Sequence, residues 1–223
     1  MRGLTRDEAQ DLLGVSRSQL YKLRKKGLID QAPSRQLRID PYSVQRYALL
    51  RHSKSRAPWS RDMLAAVTDA LSSGVPSPPE TAAEIANSTP MEICQQVLRS
   101  VQVTRFVATT PEARAAAARR LSLTGSSVVG NNRDEMVRGY LTGTHIDDFE
   151  FETGLVRSDD GDHFVHHTER GEDCWVRAGT AQELLVAVDC MRDVDPAVRD
   201  IGGRMLEGLH RSWLIAHATT SAA

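Results

Sequence analysis

Side chains able to do chemistry concentrate early in the chain, where Arg17, Ser18, Gln19, Tyr21, Lys22, Lys25 and Lys26 fall within one short stretch. Lysine and arginine neutralise phosphates there, while Arg, Gln and Ser address the donors and acceptors on base edges. At about 100° per residue, Ser18, Tyr21, Lys22 and Lys25 share one helix face. Leu20 and Leu23 lie within about 60° of each other on the opposite side. A cationic, hydrogen-bonding face backed by an apolar one is what a major-groove helix needs. A solvated lysine-rich helix has the same composition, so the elements around it decide between the two.

Those elements are strongly punctuated. Thr5 and Glu8 form a capping box, in which the hydroxyl accepts from the third helical N–H and the carboxylate reaches back. Ala9, Leu12 and Leu13 supply an apolar stripe, and Gly14 ends the helix in a left-handed cap. Ser16 and Gln19 repeat the capping pattern at once. Two short helices this close must cross, as in a helix-turn-helix. Gly27 closes the second helix. Leu28-Ile29 and Leu37-Arg38-Ile39 then flank a polar tip containing Pro33, the pattern of a β-hairpin wing carrying Arg35 and Arg38. Asp40-Pro41 starts a covering helix through Val44, Tyr47 and Ala48.

The segments from Leu4 to Ala9, Leu12 to Leu23, Gly27 to Ile29 and Leu37 to Pro41 together resemble the MerR-like and excisionase-type winged helix-turn-helix family, over about residues 3–50. The resemblance implies that Arg17–Lys26 enters the major groove of double-stranded DNA. It also implies that Gln31–Arg38 touches the backbone or minor groove. MerR regulators pair through a long coiled coil behind this domain. No sustained heptads appear between residues 50 and 110, so that dimerisation and its effector sensing do not carry over.

Charge divides along the same line. Residues 1–61 hold 14 Lys+Arg against 5 Asp+Glu, a net of +9, and the remainder holds 14 against 24, a net of −10. A basic head on an acidic body is the footprint of a polyanion-binding module. Three widely spaced cysteines, Cys94, Cys174 and Cys190, argue against a disulfide framework and for a reducing compartment. With no secretory pattern at the N-terminus and no apolar run long enough to cross a bilayer, a cytoplasmic protein without membrane contact is expected.

Three parts follow: a winged head at 1–50, a basic linker at 51–61, and an acidic body at 62–223. The body divides into a helical part at 62–142 and a β-meander with closing helices at 143–217. The fold class is α+β, mainly helical, with a small antiparallel meander. In the helical part, Ser60, Thr89 with Glu92, and Thr110 are helix caps. Residues 80–103 read as an αα-hairpin whose outer face offers Gln95, Gln96, Arg99 and Gln102, or as a second helix-turn-helix. Arg133–Leu141 reads as a helix through Met136, Val137 and Tyr140. Asp148-Phe149-Glu150-Phe151-Glu152 alternates as a half-buried strand does. Leu155–Arg157 and His163–Thr168 follow as a hairpin, with Cys174–Arg177 as a further strand. Thr180 with Glu183, and Asp195 with Pro196, start the closing helices. In the last one, Gly202-Gly203 marks close packing or a kink.

Other chemistry is weakly supported. His163, His166, His167 and Cys174 match no common zinc spacing, and on a strand His166 and His167 face opposite sides. Asp159-Asp160-Gly161-Asp162 lacks the rest of a calcium loop and reads as a tight turn. Neither a metal nor a cofactor is expected, and no catalytic grouping supports an enzyme. The expected function is a sequence-specific DNA-binding transcription regulator, a repressor in the first instance. The alternatives are an excisionase-like or partition-type architectural protein, or a DNA-tethered adaptor whose acidic body binds a protein partner. A homodimer through the face of Val198, Ile201, Met205, Leu209 and Trp213 stands against simple core packing of that face.

Overall fold

The caps written into the sequence set the helix starts. In the computed structural model, described for residues 3–32, 38–53, 57–129, 136–159, 161–168, 170–171 and 182–220, both N-terminal capping boxes are closed. They start α1 (Arg6–Leu13) and α2 (Arg17–Lys25). Gly14 takes the left-handed conformation at φ 62° between them. Asp40 accepts from the Ser43 N–H and Pro41 opens α3 (Pro41–Leu50). Ala9, Leu13, Leu20, Ile29, Ile39 and Val44 form the head's own core. Between α2 and α3 the described backbone makes two isolated antiparallel bridges, Gln31 to Ile39 and Leu4 to Ile39. The wing tip expected at residues 33–37, with Arg35, lies outside the described residues.

The stretch expected as a linker is tied down where it is described. Arg51 donates to the Leu13 carbonyl, Arg99 donates to the Ser53 hydroxyl, and the Trp59 indole donates to Glu84. Beyond it come α4 (Arg61–Ser73), α5 (Pro79–Ala86) and α6 (Pro90–Ser100), started by Ser60, Pro78 and the Thr89/Glu92 capping box. They pack with α9 (Glu183–Met191) and α10 (Pro196–Thr220) around a core that includes Leu64, Ile85, Ile93, Leu98, Leu184 and Trp213.

The protein is mainly helical with a small mixed sheet. Its strands are β1 (Gln102–Ala108), β2 (Leu121–Leu123), β3 (Arg138–Leu141), β4 (Leu155–Arg157) and β5 (His163–His167), in the order β2-β3-β5-β1-β4. The β3–β5 pair is parallel and the other pairs antiparallel. This corrects the expected meander. β4 and β5 do not pair as a hairpin, because β1 lies between them and bonds to both. Two helices, α7 (Pro111–Arg120) and α8 (Ile146–Thr153), cover one sheet face through Phe106, Ala117, Phe149 and Val165.

Three local expectations fail for definable reasons. Asp148–Glu152 lies in α8, capped by His145 and ended by a left-handed Gly154. A strand would place Phe149 and Phe151 on one face, whereas Phe149 is 0% and Phe151 91% exposed. Arg138–Leu141 is a strand, buried at every position between β2 and β5, and a short buried run carries no period that separates helix from strand. The supposed outer face of α6 is internal. Gln95 and Gln96 are buried, and the Gln95 amide donates to the Leu49 carbonyl at the end of α3. Gln102 has already left the helix for β1. The α5–α6 pair is therefore a core hairpin rather than a second reading unit. At the start of α9, Gln182 makes no side-chain cap, and Thr180 lies outside the described residues, as does the strand expected at Cys174–Arg177.

Two glycines mark close approaches. A Cβ on Gly161 would sit 2.4 Å from the Phe106 carbonyl oxygen, so the turn between β4 and β5 presses on the β1 backbone. A Cβ on Gly202 would sit 2.5 Å from the Ala187 carbonyl oxygen, so α10 lies directly on α9, while one on Gly203 would meet open space. Val198 and Trp213, from the face considered for dimerisation, are buried within the chain.

Candidate nucleic-acid interface

Geometry at α2 follows from its cap and its core contacts. Ser16 accepts the Gln19 N–H at 3.3 Å, and the Gln19 side-chain oxygen accepts the Ser16 N–H at 2.8 Å. This reciprocal pair fixes the direction of the helix relative to α1. Leu20 is buried in the head core and Leu23 packs against it, which rotates the opposite face outward. Arg17, Ser18, Gln19, Lys22, Lys25 and Lys26 are all exposed. Tyr21 is 65% exposed, an unusual position for an aromatic ring.

Of the residues singled out in the sequence, six of these lie on α2 and the seventh, Lys26, caps its C-terminus. Arg38 stands apart, half-buried beside the bridge at Ile39, with its carbonyl accepting the Ala32 N–H at 3.0 Å. Arg35 falls outside the described residues. Gln19 has its amide oxygen committed to the cap, which leaves its NH₂ group to face outward.

Two cations were not singled out by the helix pattern. Arg6 on α1 and Arg24 on α2 line the same open groove as Arg17, Tyr21, Lys22 and Lys25. Arg24 also donates to the Gln31 side-chain oxygen at 3.0 Å, linking α2 to the base of the following segment. Its signal was the i, i+7 relation to Arg17, at the edge of the exposed face. Ser16→Ala is expected to destabilise the head by about 1 kcal/mol, because it opens the capping box that orients α2. Chemical denaturation with and without the substitution measures the loss, and an unchanged midpoint would count against the cap.

A crossed pair of capped helices, an exposed cationic second helix and a covering third helix are now in place. Residues 4–49 match the family of the helix-turn-helix domain. The match spans about a fifth of the chain and coincides with the basic head. A helix-turn-helix domain implies DNA as the partner. No curated protein and no solved structure matches the chain.

Among the described residues no three His, Cys, Asp or Glu side chains group as metal ligands, and Cys174 lies outside them. Cys94 and Cys190 are buried free thiols, each pushed up to about 12 by burial, with the charge of Asp189 acting in the same direction. Such thiols are poor nucleophiles. Among the described residues no helix is long and apolar enough to cross a membrane.

Proposed function

We propose that this protein is a sequence-specific double-stranded DNA-binding transcription regulator, acting as a repressor, that reads its site through α2. The observation that carries this reading is the exposed face of Arg17, Ser18, Tyr21, Lys22 and Lys25 behind a reciprocally capped turn, inside the matched helix-turn-helix domain. The division of roles follows from position along the helix. Arg17, Ser18, Gln19 and Tyr21 occupy the N-terminal end, which in this docking geometry comes nearest the base edges. Lys22, Lys25 and Lys26 reach phosphates, and Arg35 and Arg38 extend the contact from a wing that lies along the backbone or minor groove. The protein is a binding protein rather than an enzyme and works in the cytoplasm.

Selection of a bound sequence from random duplexes, followed by gel shift on the enriched site, tests the reading. Lys25→Ala is expected to weaken all sequences about equally and to reduce the salt slope by roughly one unit. Arg17→Ala is expected to lose about 1–3 kcal/mol on the selected site and to relax preference at one base position. If both variants keep the native affinity and preference, α2 does not read DNA.

A further inference from the structure

Where the linker enters the body, an open groove of about 650 Å³ lies between the first turn of α4, the end of α6 and the adjoining ends of β1 and β5. Among the described residues Arg61, Arg99 and Arg170 line it against a single carboxylate, Asp62. The groove is therefore net positive, on a body whose residues 62–223 carry a net of −10. Contact through α2 leaves these cations idle.

The charged groups on this wall reach solvent. Arg61 and Arg170 are exposed, and Arg99 is half-buried. Ser60, Ser100, Gln102 and Thr168 add neutral hydrogen-bonding groups along the same wall. Arg61 opens α4, where the Ser60 hydroxyl accepts the Met63 N–H at 3.2 Å. That cap satisfies one of the orphan N–H groups of the helix start and leaves others to outside acceptors. Arginine, serine, threonine, glutamine and helix N-termini are the groups through which proteins hold DNA phosphates.

The groove is also tied to the head. Arg99 donates to the Ser53 hydroxyl, and two residues earlier Arg51 donates to the Leu13 carbonyl, beside the turn that leads into α2. Ser53 and Ser60 are seven residues apart, so the chain between them spans at most about 25 Å. One turn of duplex is about 34 Å. A duplex held on α2 and running along the linker thus brings the phosphates beside the recognised bases to the groove within one turn. The negative charge over the rest of the body repels the duplex and directs it to this one basic strip.

We propose that this groove is a second DNA-contacting surface, which holds the sugar-phosphate backbone flanking the site read by α2 through Arg61, Arg99 and Arg170. The proposal rests on α2 reading duplex DNA. It gives the acidic body a part in the grip and lengthens the footprint beyond the bases that the head covers.

The test is gel shift of the full chain on the site selected from random duplexes, at two lengths. One duplex carries a full helical turn of flank, about 10 base pairs, on each side, and the other is trimmed to the selected bases. On the flanked duplex Arg170→Gln and Arg61→Gln should each lower the salt slope by roughly one unit. Each should weaken binding about fivefold at about 0.15 M salt, the counterion release of one phosphate. Sequence preference should not change, since a backbone contact carries no base information. Trimming should weaken the native protein and shrink the penalty of both substitutions. If Lys25→Ala weakens binding while both groove variants match the native protein on the flanked duplex, the proposal is overturned. The reading of α2 then survives, and the groove is left to an acidic protein segment. An equal penalty at both lengths also overturns it, because the arginines then act elsewhere than on the flank. If the groove variants weaken binding while Arg17→Ala and Lys25→Ala do not, the groove stands and the reading of α2 fails. A protein that shifts neither duplex overturns both.

Discussion

Asp189→Ala is expected to destabilise the protein by about 3–5 kcal/mol, the loss typical when one partner of a buried ion pair is removed. Asp189 sits on α9 and is 1% exposed. Its carboxylate lies 2.9 Å from an Arg192 Nη and 3.7 Å from His166 Nε2 on β5. His166 in turn stacks on Tyr140 of β3 at 4.5 Å. The carboxylate therefore pins α9 to the centre of the sheet, and its removal leaves the Arg192 charge buried without a counter-ion. Urea unfolding measures the loss directly. Adding Arg192→Met in the Asp189→Ala background should recover part of it, since the orphaned charge goes too. A loss below about 1 kcal/mol from Asp189→Ala alone would show that the pair is not the pin described.

Most of the head is legible in the sequence because its information is local. Thr5 with Glu8, Ser16 with Gln19, and Asp40 with Pro41 state where helices begin, and each cap acts over three or four residues. The body's caps at Ser60, Thr89 and Thr110 are equally readable. The sheet is not, because its order depends on pairings between distant segments. Nothing near Gln102–Ala108 announces that it will separate β4 from β5. Asp148–Glu152 misleads for a different reason. Its alternation imitates a strand, while Asp147 and Asp148 in a first turn and the spacing of Ile146, Phe149 and Thr153 state the helix.

The candidate interface and the junction of head and body differ in the same way. Ser18, Tyr21, Lys22 and Lys25 occupy one helix, so periodicity alone places them on one face. At that junction Arg46, Arg105, Arg138 and Arg192 come from α3, β1, β3 and the segment after α9, and no pattern in the chain joins them. What exposes them is the physics of burial. A guanidinium with no accessible surface, set over the Tyr42 ring and beside Asp193, is conspicuous in three dimensions, yet Arg138 reads in the sequence as one more surface cation.

Acid should destabilise the folded protein below about pH 6.5, the ordinary value of a histidine. His163, His166 and His167 are buried on β5, and burial is the largest cause holding each below that value. For His166 the charges of Arg192 and Arg138 add to it and drive it well down. Asp162 opposes the effect at His163, and a bond to the Thr168 carbonyl opposes it at His167, without reversing either. Their hydrogen bonds agree with neutral rings. The Val137 N–H donates to His163 Nδ1 at 3.1 Å. His167 Nδ1 lies 2.6 Å from the Thr168 carbonyl oxygen and its Nε2 lies 2.7 Å from the Thr104 hydroxyl. Above the unfolded value both states are neutral and these histidines leave stability unchanged. As pH falls below it, the unfolded chain takes up protons that the folded chain refuses, so stability declines until the lowered folded value is reached. Each histidine still refusing its proton contributes a slope of about 1.4 kcal/mol per pH unit. His163 and His167 add to the first part of the decline, and His166 extends it to lower pH. Asp30, raised by burial, acts in the opposite direction but only in the lower carboxylate range. Urea unfolding between about pH 7.5 and pH 5 measures the slope. His166→Gln should flatten it by about one proton's worth. A stability flat across that range, or a slope unchanged by His166→Gln, would show that the folded protein accepts the proton on β5 as readily as water does.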